Sequence, residues 1–164
     1  MKKTTLCYLF YGSEILMIHR TKKKNDENEG KFIGLGGHFL EDETPLQCVL
    51  REVFEESGVA LKNPSYRGVV TFHSDLFPSE EMHLFTDVLS IKPPLPLCDE
   101  GELRFVEREK LLSLKLWEGD RIFLSLLFND APFFHLTLWY CGDHLEKAAL
   151  NGKELHSFES YGIE

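Results

Sequence analysis

The chain has 164 residues, 43% of them apolar, and a formal charge of −9, with no apolar run of membrane-spanning length. That length suits one domain with a sizeable core, and the acidic balance excludes general affinity for nucleic-acid strands, which demands basic surface. Four scattered cysteines, Cys7, Cys48, Cys98 and Cys141, form no C-x-x-C pair, so neither a zinc site nor a disulfide framework is expected, and reduced thiols in a cytoplasmic setting are.

Met1-Lys2-Lys3 imitates the basic start of a signal peptide, but Tyr11-Gly12-Ser13-Glu14 breaks the apolar stretch and no small-residue cleavage site follows. Thr4 to Tyr11 and Glu14 to Arg20 read instead as strands joined by a Gly12-Ser13 hairpin. Arg20 with Lys22, Lys23 and Lys24 then forms the one basic cluster. The lysines suit a solvated loop, whereas Arg20, at a strand end, is placed to meet an anionic substrate. After Phe32-Ile33-Gly34-Leu35-Gly36-Gly37 comes a well-punctuated helix: Thr44 as N-cap, Pro45 at the first position, Gln47 completing a capping box, Gly58 as the left-handed stop. Leu46, Val49, Leu50 and Val53 recur at helical period and predict its inward face.

Further strands are predicted over Ser65 to Ser74, Met82 to Ile91, Leu103 to Val106, Phe133 to Cys141 and Leu145 to Leu150, the last two joined by Gly142-Asp143. A brief helix near Arg108 to Leu112 and a longer one over Glu118 to Phe128 alternate with them. Such a mixture implies α/β: an α/β/α sandwich on a mixed sheet. The domain is expected over 1–151, with 152–164 a polar, loosely held tail.

Arg51-Glu52-Val53-Phe54-Glu55-Glu56 crowds four charges into two helical turns. Glu52, Glu55 and Glu56 are neighbours at helical spacing, and three adjacent carboxylates repel one another unless something divalent neutralises them. Mg²⁺, with Mn²⁺ as a substitute, wants oxygen ligands and binds one or two carboxylates together with substrate phosphates. The helix looks built to hold magnesium against a polyphosphate.

Gly37, five residues, Glu43, seven residues, then Arg51-Glu52-Val53-Phe54-Glu55-Glu56-Ser57-Gly58-Val59 resembles the Nudix box at every defined position. The resemblance implies the Nudix fold and a hydrolase of nucleoside diphosphates linked to another group. It makes Glu52, Glu55, Glu56 and the Gly36 carbonyl metal ligands, Arg51 the residue that orients a box glutamate, and Glu43 a support for loop or bases. Glycine at 36 and 37 lets the backbone approach cation and phosphate. Glu52 and Glu100 are the candidate general bases. Glu100 stands in a proline-rich connection with Asp99 and Glu102, from which relatives of the MutT type send one more acid to the metal; all three qualify, Glu100 resembling that position best, and a solvated acidic turn is the other reading.

Substrate choice rests on weaker resemblance. The Phe32 to Gly37 entry and Trp117-Glu118-Gly119-Asp120 look like the MutT branch that hydrolyses 8-oxo-dGTP and related purine triphosphates to monophosphate and pyrophosphate. Here Ile33 replaces an asparagine, and Gly119 replaces one of a pair of acids. Asp120 remains to bond a base, and Phe32, Phe72 or Trp117 either stack on it or fill the core. His38 serves phosphate or the loop, and His73 with His83 reads as a cross-strand pair. ADP-ribose and dihydroneopterin triphosphate are alternative substrates, and a non-catalytic nucleotide sensor is the alternative outside catalysis. The expected partner is a small-molecule nucleotide, bound by a monomer or homodimer.

Overall fold

Gly12, at φ +57°, closes the tight turn between β1 (Lys2–Tyr11) and β2 (Glu14–His19), in a conformation costly to any residue with a Cβ. In the computed structural model, which describes residues 1–22 and 26–163, Lys23 and Lys24 of the basic cluster lie outside the described residues. Among the described residues, the hairpin begins a nine-stranded sheet. Its other strands are β3 (Phe32–Ile33), β4 (Ser65–Ser74), β5 (Glu80–Val88), β6 (Glu102–Glu107), β7 (Phe134–Cys141), β8 (His144–Leu150) and β9 (Lys153–Glu154). The order is β3-β2-β1-β5-β4-β7-β8-β9, with β6 also paired to β2. Pairs β1·β5 and β4·β7 are parallel and the rest antiparallel, so the sheet is mixed, as the sequence implies.

Two helices, α1 (Pro45–Ser57) and α2 (Glu118–Phe128), cover opposite faces. The alternation of β1 separates the two cores. Leu6 and Tyr8 join Ile122, Phe123, Leu124 and Leu127 of α2, while Cys7 and Leu9 join Val49 and Val53 of α1. The segment near Arg108 is a 3₁₀ turn, Arg108–Ser113. No helix among the described residues is long and apolar enough to cross a membrane.

The caps of α1 are those the sequence predicts: Thr44 and Gln47 complete the capping box, and Gly58 adopts φ +75°. Its inward face differs at two positions, one of them Leu50, which is half-buried and joins neither core. Leu46 is 42% exposed, because the first turn carries it clear of the core, and Cys48, Val49, Val53 and Ser57 form the buried stripe. The tail differs as well. β9 extends the sheet, and Ile163 is 4% exposed in the α2-side core with Leu155, Phe158 and Tyr161 packed around it. Apolar side chains spaced through a polar stretch dock it.

The feature that positions the site is a split in the sheet. β1 pairs β2 only beside the hairpin, from Leu9↔Leu16 to Tyr11↔Glu14. Beyond Leu9 the strands diverge, and residues 32–38 fill the gap. They pair with β2 at Ile18↔Ile33 and His19↔Phe32, and bridge β1 at Cys7↔Leu35 and Thr4↔His38.

Candidate active site

The segment in the split is held by backbone. Cys7 N–H donates to Leu35 O at 2.6 Å, Leu35 N–H to Cys7 O at 2.9 Å, and Thr5 N–H to Gly37 O at 2.9 Å. Glycine is obligatory here. Gly36 sits at φ +153°, and a Cβ on it would lie 1.9 Å from Thr5 O. A Cβ on Gly37 would lie 2.5 Å from the carboxyl carbon of Glu52. The loop therefore touches α1 where its acids emerge, and Gly36 N–H donates to Glu56 Oε1 at 2.8 Å.

Arg51 organises the other acids. Its Nε and Nη2 donate to the two oxygens of Glu43 at 2.7 and 2.9 Å, and Nη1 donates to Glu52 at 2.7 Å and Glu55 at 3.3 Å. Nη2 also reaches the carbonyl of His38 at 3.0 Å. Glu43 accepts from Leu40 N–H at 2.8 Å, and the guanidinium holds its carboxyl down at about 2. Arg51 thus ties the glycine loop, the support acid and the box acids into one network.

Glu56 lies deeper. Burial, then the charges of Glu100 and Glu52, push its carboxyl up to about 9 despite the opposing Gly36 hydrogen bond. Glu100 is the acid from the proline-rich connection that faces it, and Arg20 Nη1 donates to Glu100 at 3.0 Å. With Glu52 and Glu55 turned to Arg51, the described residues hold no ready-made group of three metal donors. The donor set still fits a hard cation: carboxylate oxygens only, mutually repelling, beside a Gly36-Gly37 cradle that a Cβ would fill. Glu52, Glu56, Glu100 and the Gly36 carbonyl are the groups able to hold it, with Glu55, whose side chain is 57% exposed, at the solvent edge.

A cavity of about 240 Å³ runs from this acidic end to the α2-side core. Gly36, Gly37, His38, Arg20 and Glu100 are among its lining residues, together with Phe72, Glu80, Met82, Trp117 and Asp120. Trp117 is fixed by its Nε1–H to Asn28 Oδ1 at 2.8 Å and by edge contacts with Phe72 and Tyr140. Lys31 Nζ lies 4.2 Å from its ring centroid.

Asp120 is buried, and burial followed by the charge of Glu80 raises its carboxyl to about 8, against the pull of Lys31 and Arg121. It is a neutral acid at neutral pH, able both to donate and to accept. An unfolded aspartate releases its proton near the ordinary 3.8, so the stability this group contributes is full below about pH 4 and is lost as pH rises towards about 8. Asp120→Asn is expected to flatten the fall of melting temperature across that interval; an equally steep fall in the variant would remove the neutral-acid assignment.

The sequence-predicted residues divide clearly. Arg20, Gly36, Gly37, His38, Glu100, Trp117 and Asp120 line the cavity, and Glu43, Arg51, Glu52, Glu55 and Glu56 form the acidic network beside it. Phe32 does not line the cavity. It is 7% exposed in the α2-side core and stacks on His19 at 4.2 Å, because strand alternation gives the cavity side to Ile33. His83 does not pair with His73; it bonds Tyr66 and Glu81. Sequence reasoning missed Thr4, Asn28, Glu80 and Met82. Glu80 carries the one usable signal, since it falls in register with inward-facing Met82 and Leu84, where an acid is out of pattern. It accepts from Thr4 Oγ1 at 3.0 Å and pairs with Lys2 at 3.0 Å. Gly119 also gains a reason: a Cβ there would meet Leu138 at 2.5 Å and the Tyr140 hydroxyl at 2.7 Å, so no acid fits.

Residues 1–127 match the NUDIX domain family. The chain is 26% identical over 145 residues to the uncharacterized Nudix hydrolase YvcI of Bacillus subtilis (strain 168), covering 85% of this chain and 87% of that one. Among solved structures, a MutT protein from Bacillus halodurans superposes with a TM-score of 0.81 at 21% identity, covering 93% of this chain and 99% of the other. The NUDIX domain of Shewanella oneidensis NrtR, complexed with ADP ribose, superposes at 0.67 with 18% identity over 78% and 86%.

Proposed function

Because the chain belongs to the Nudix hydrolase family, we propose that it cleaves a pyrophosphate bond in a purine (deoxy)nucleoside triphosphate, 8-oxo-dGTP among them, giving nucleoside monophosphate and pyrophosphate. The observation that carries this reading is one cavity whose lining joins Glu100 and the Gly36-Gly37 backbone, with the box carboxylates beside them, to a neutral acid among aromatics. Glu52, Glu56, Glu100 and the Gly36 carbonyl would hold Mg²⁺, which Mn²⁺ can replace. When bound, the ion neutralises charge developing on the phosphoryl oxygens and acidifies water.

The chain's own groups do the rest. Arg51 fixes Glu52 against Gly37, and Arg20 fixes Glu100, so either carboxylate is held to accept a proton from the attacking water. The Gly36-Gly37 backbone lets phosphate approach without a Cβ in the way. Asp120 reads a base edge as donor and acceptor, Glu80 accepts from an amino or imino group, and Trp117 with Phe72 supplies apolar walls.

The test is product release with Mg²⁺ over purine and pyrimidine triphosphates, 8-oxo-dGTP, dihydroneopterin triphosphate and ADP-ribose. Purine triphosphates are expected to give the highest kcat/KM, with pyrophosphate as the co-product. Preference for ADP-ribose, or turnover undiminished by chelator, would overturn the proposal, and binding without turnover would make the chain a sensor.

A further inference from the structure

Arg20 stands at the end of β2 with 8% of its surface exposed. Its backbone is pinned on both sides, with Arg20 N–H donating to Lys31 O at 2.9 Å and Gly30 N–H to Arg20 O at 2.6 Å. The guanidinium is spread between two carboxylates: Nη1 to Glu100 at 3.0 Å, Nη2 to Asp26 at 2.6 Å. Its Nε is buried and has no hydrogen-bond partner among the described residues. Of its five N–H donors, two are thus committed to acids and a third, on Nε, is buried.

The connection bearing Glu100 is stitched to the same strand end. Lys22 Nζ donates to Cys98 O at 2.6 Å. A Cβ on Gly101 would lie 2.1 Å from His19 O, so the chain presses against β2 directly after Glu100, and β6 continues the contact through Glu102↔His19. Four contacts flanking and including one carboxylate leave it little freedom. From a loop of prolines and exposed residues, Glu100 acquires a fixed direction towards Glu56.

We propose that Arg20 is a positioning residue: it acts through Glu100, aiming that carboxylate at the box helix, and does not bind the substrate's phosphates. This rests on the reading that Glu100 serves the metal cluster. A fork with two anchored prongs suits that task, because Asp26 holds the guanidinium plane while the other prong orients Glu100. Lysine, a single point charge, would keep the attraction and lose the orientation.

The test compares Arg20→Met, Arg20→Lys, Glu100→Gln and the Arg20→Met/Glu100→Gln double variant. Mn²⁺ binding to the protein without nucleotide is followed by loss of the free-ion EPR signal, alongside steady-state kinetics with Mg²⁺. Arg20→Met is expected to weaken Mn²⁺ binding and lower kcat by about 10–100-fold, the scale for a partner that orients a ligand. The KM for nucleotide should stay near wild type, and Arg20→Lys should recover part of the loss. In the Glu100→Gln background, Arg20→Met should add almost nothing, since its target is gone. A raised KM with unchanged Mn²⁺ affinity, at the same factor in both backgrounds, would make Arg20 a phosphate ligand and overturn the inference. Glu100→Gln impaired while Arg20→Met behaves as wild type sinks the positioning role alone. Glu100→Gln with wild-type Mn²⁺ binding and turnover sinks the metal role of Glu100, and the positioning role with it. Should Arg20→Met fail to fold, Arg20→Lys carries the same comparison, because it keeps the buried charge.

Discussion

Glu56→Gln is expected to lower turnover by at least about 10³-fold while leaving the fold intact, a loss on the scale of removing a main electrostatic element from a transition state. The two halves of that result have separate causes. In the protein alone, Glu56 is pushed up to about 9, so it carries a proton at neutral pH and faces Glu100 as a neutral acid. Glutamine reproduces that state closely, keeping an oxygen for the Gly36 N–H and a donor in place of the acid proton. Melting temperature in chelator should therefore stay within about 2 °C of wild type. What glutamine lacks is the ability to ionise when a cation arrives. Added Mg²⁺ should raise the melting temperature of wild type and not of the variant. Wild-type turnover in Glu56→Gln would end the ligand assignment.

Arg51→Met should damage both stability and activity. Five hydrogen bonds radiate from this one guanidinium to Glu43, Glu52, Glu55 and the His38 carbonyl. Removing it leaves three carboxylates facing one another without a cation. Hydrogen bonds to charged groups contribute about 1.5–3 kcal/mol each when a partner is stranded. Solvent softens this here, since Arg51 is 24% exposed and Glu43 11%, so a net loss of about 2–3 kcal/mol is expected. Turnover should fall about 10²-fold as Glu52 loses its orientation. The acid limb offers an independent check. Glu43 is held at about 2 in the fold against an ordinary 4.5, so its contribution is present above about 4.5 and is lost as pH falls towards 2. Denaturant titrations should show that loss in wild type and not in Arg51→Met. Equal acid sensitivity would mean that Arg51 does not stabilise the ionised Glu43.

Much of this was legible in the chain because it rests on local chemistry. The α1 boundaries follow from a capping box and a left-handed glycine, signals complete within a few residues. The gathering of Arg51 with Glu52 and Glu55 follows from spacing on a single helix, whereas the part of Glu43 came only with the Nudix resemblance. What escaped depends on contacts between distant segments. β3 has two residues, too few to show a period, and exists because β1 and β2 part. Leu46 satisfies the helical pattern, yet pattern cannot tell whether a first turn overhangs the core. Phe32 and Ile33 are equivalent in composition, and only the register with β2 decides which one meets the cavity. Glu80 reaches the cavity across a parallel pairing of β1 with β5, between segments about half the chain apart.

The parting of β1 from β2 has a consequence for substrate length. Ile33, Gly34, Gly36 and Gly37 line the cavity, and Leu35 and Gly37 of the same segment are bolted to Cys7 and Thr5 by main-chain bonds. The span from the pocket floor to the scissile position is therefore set by backbone rather than by mobile side chains, and behaves as a yardstick. On the proposed reading, which breaks the α–β linkage, a nucleoside monophosphate would seat its base correctly and present no bond at the acids, so nucleoside monophosphates should bind as competitors and resist cleavage.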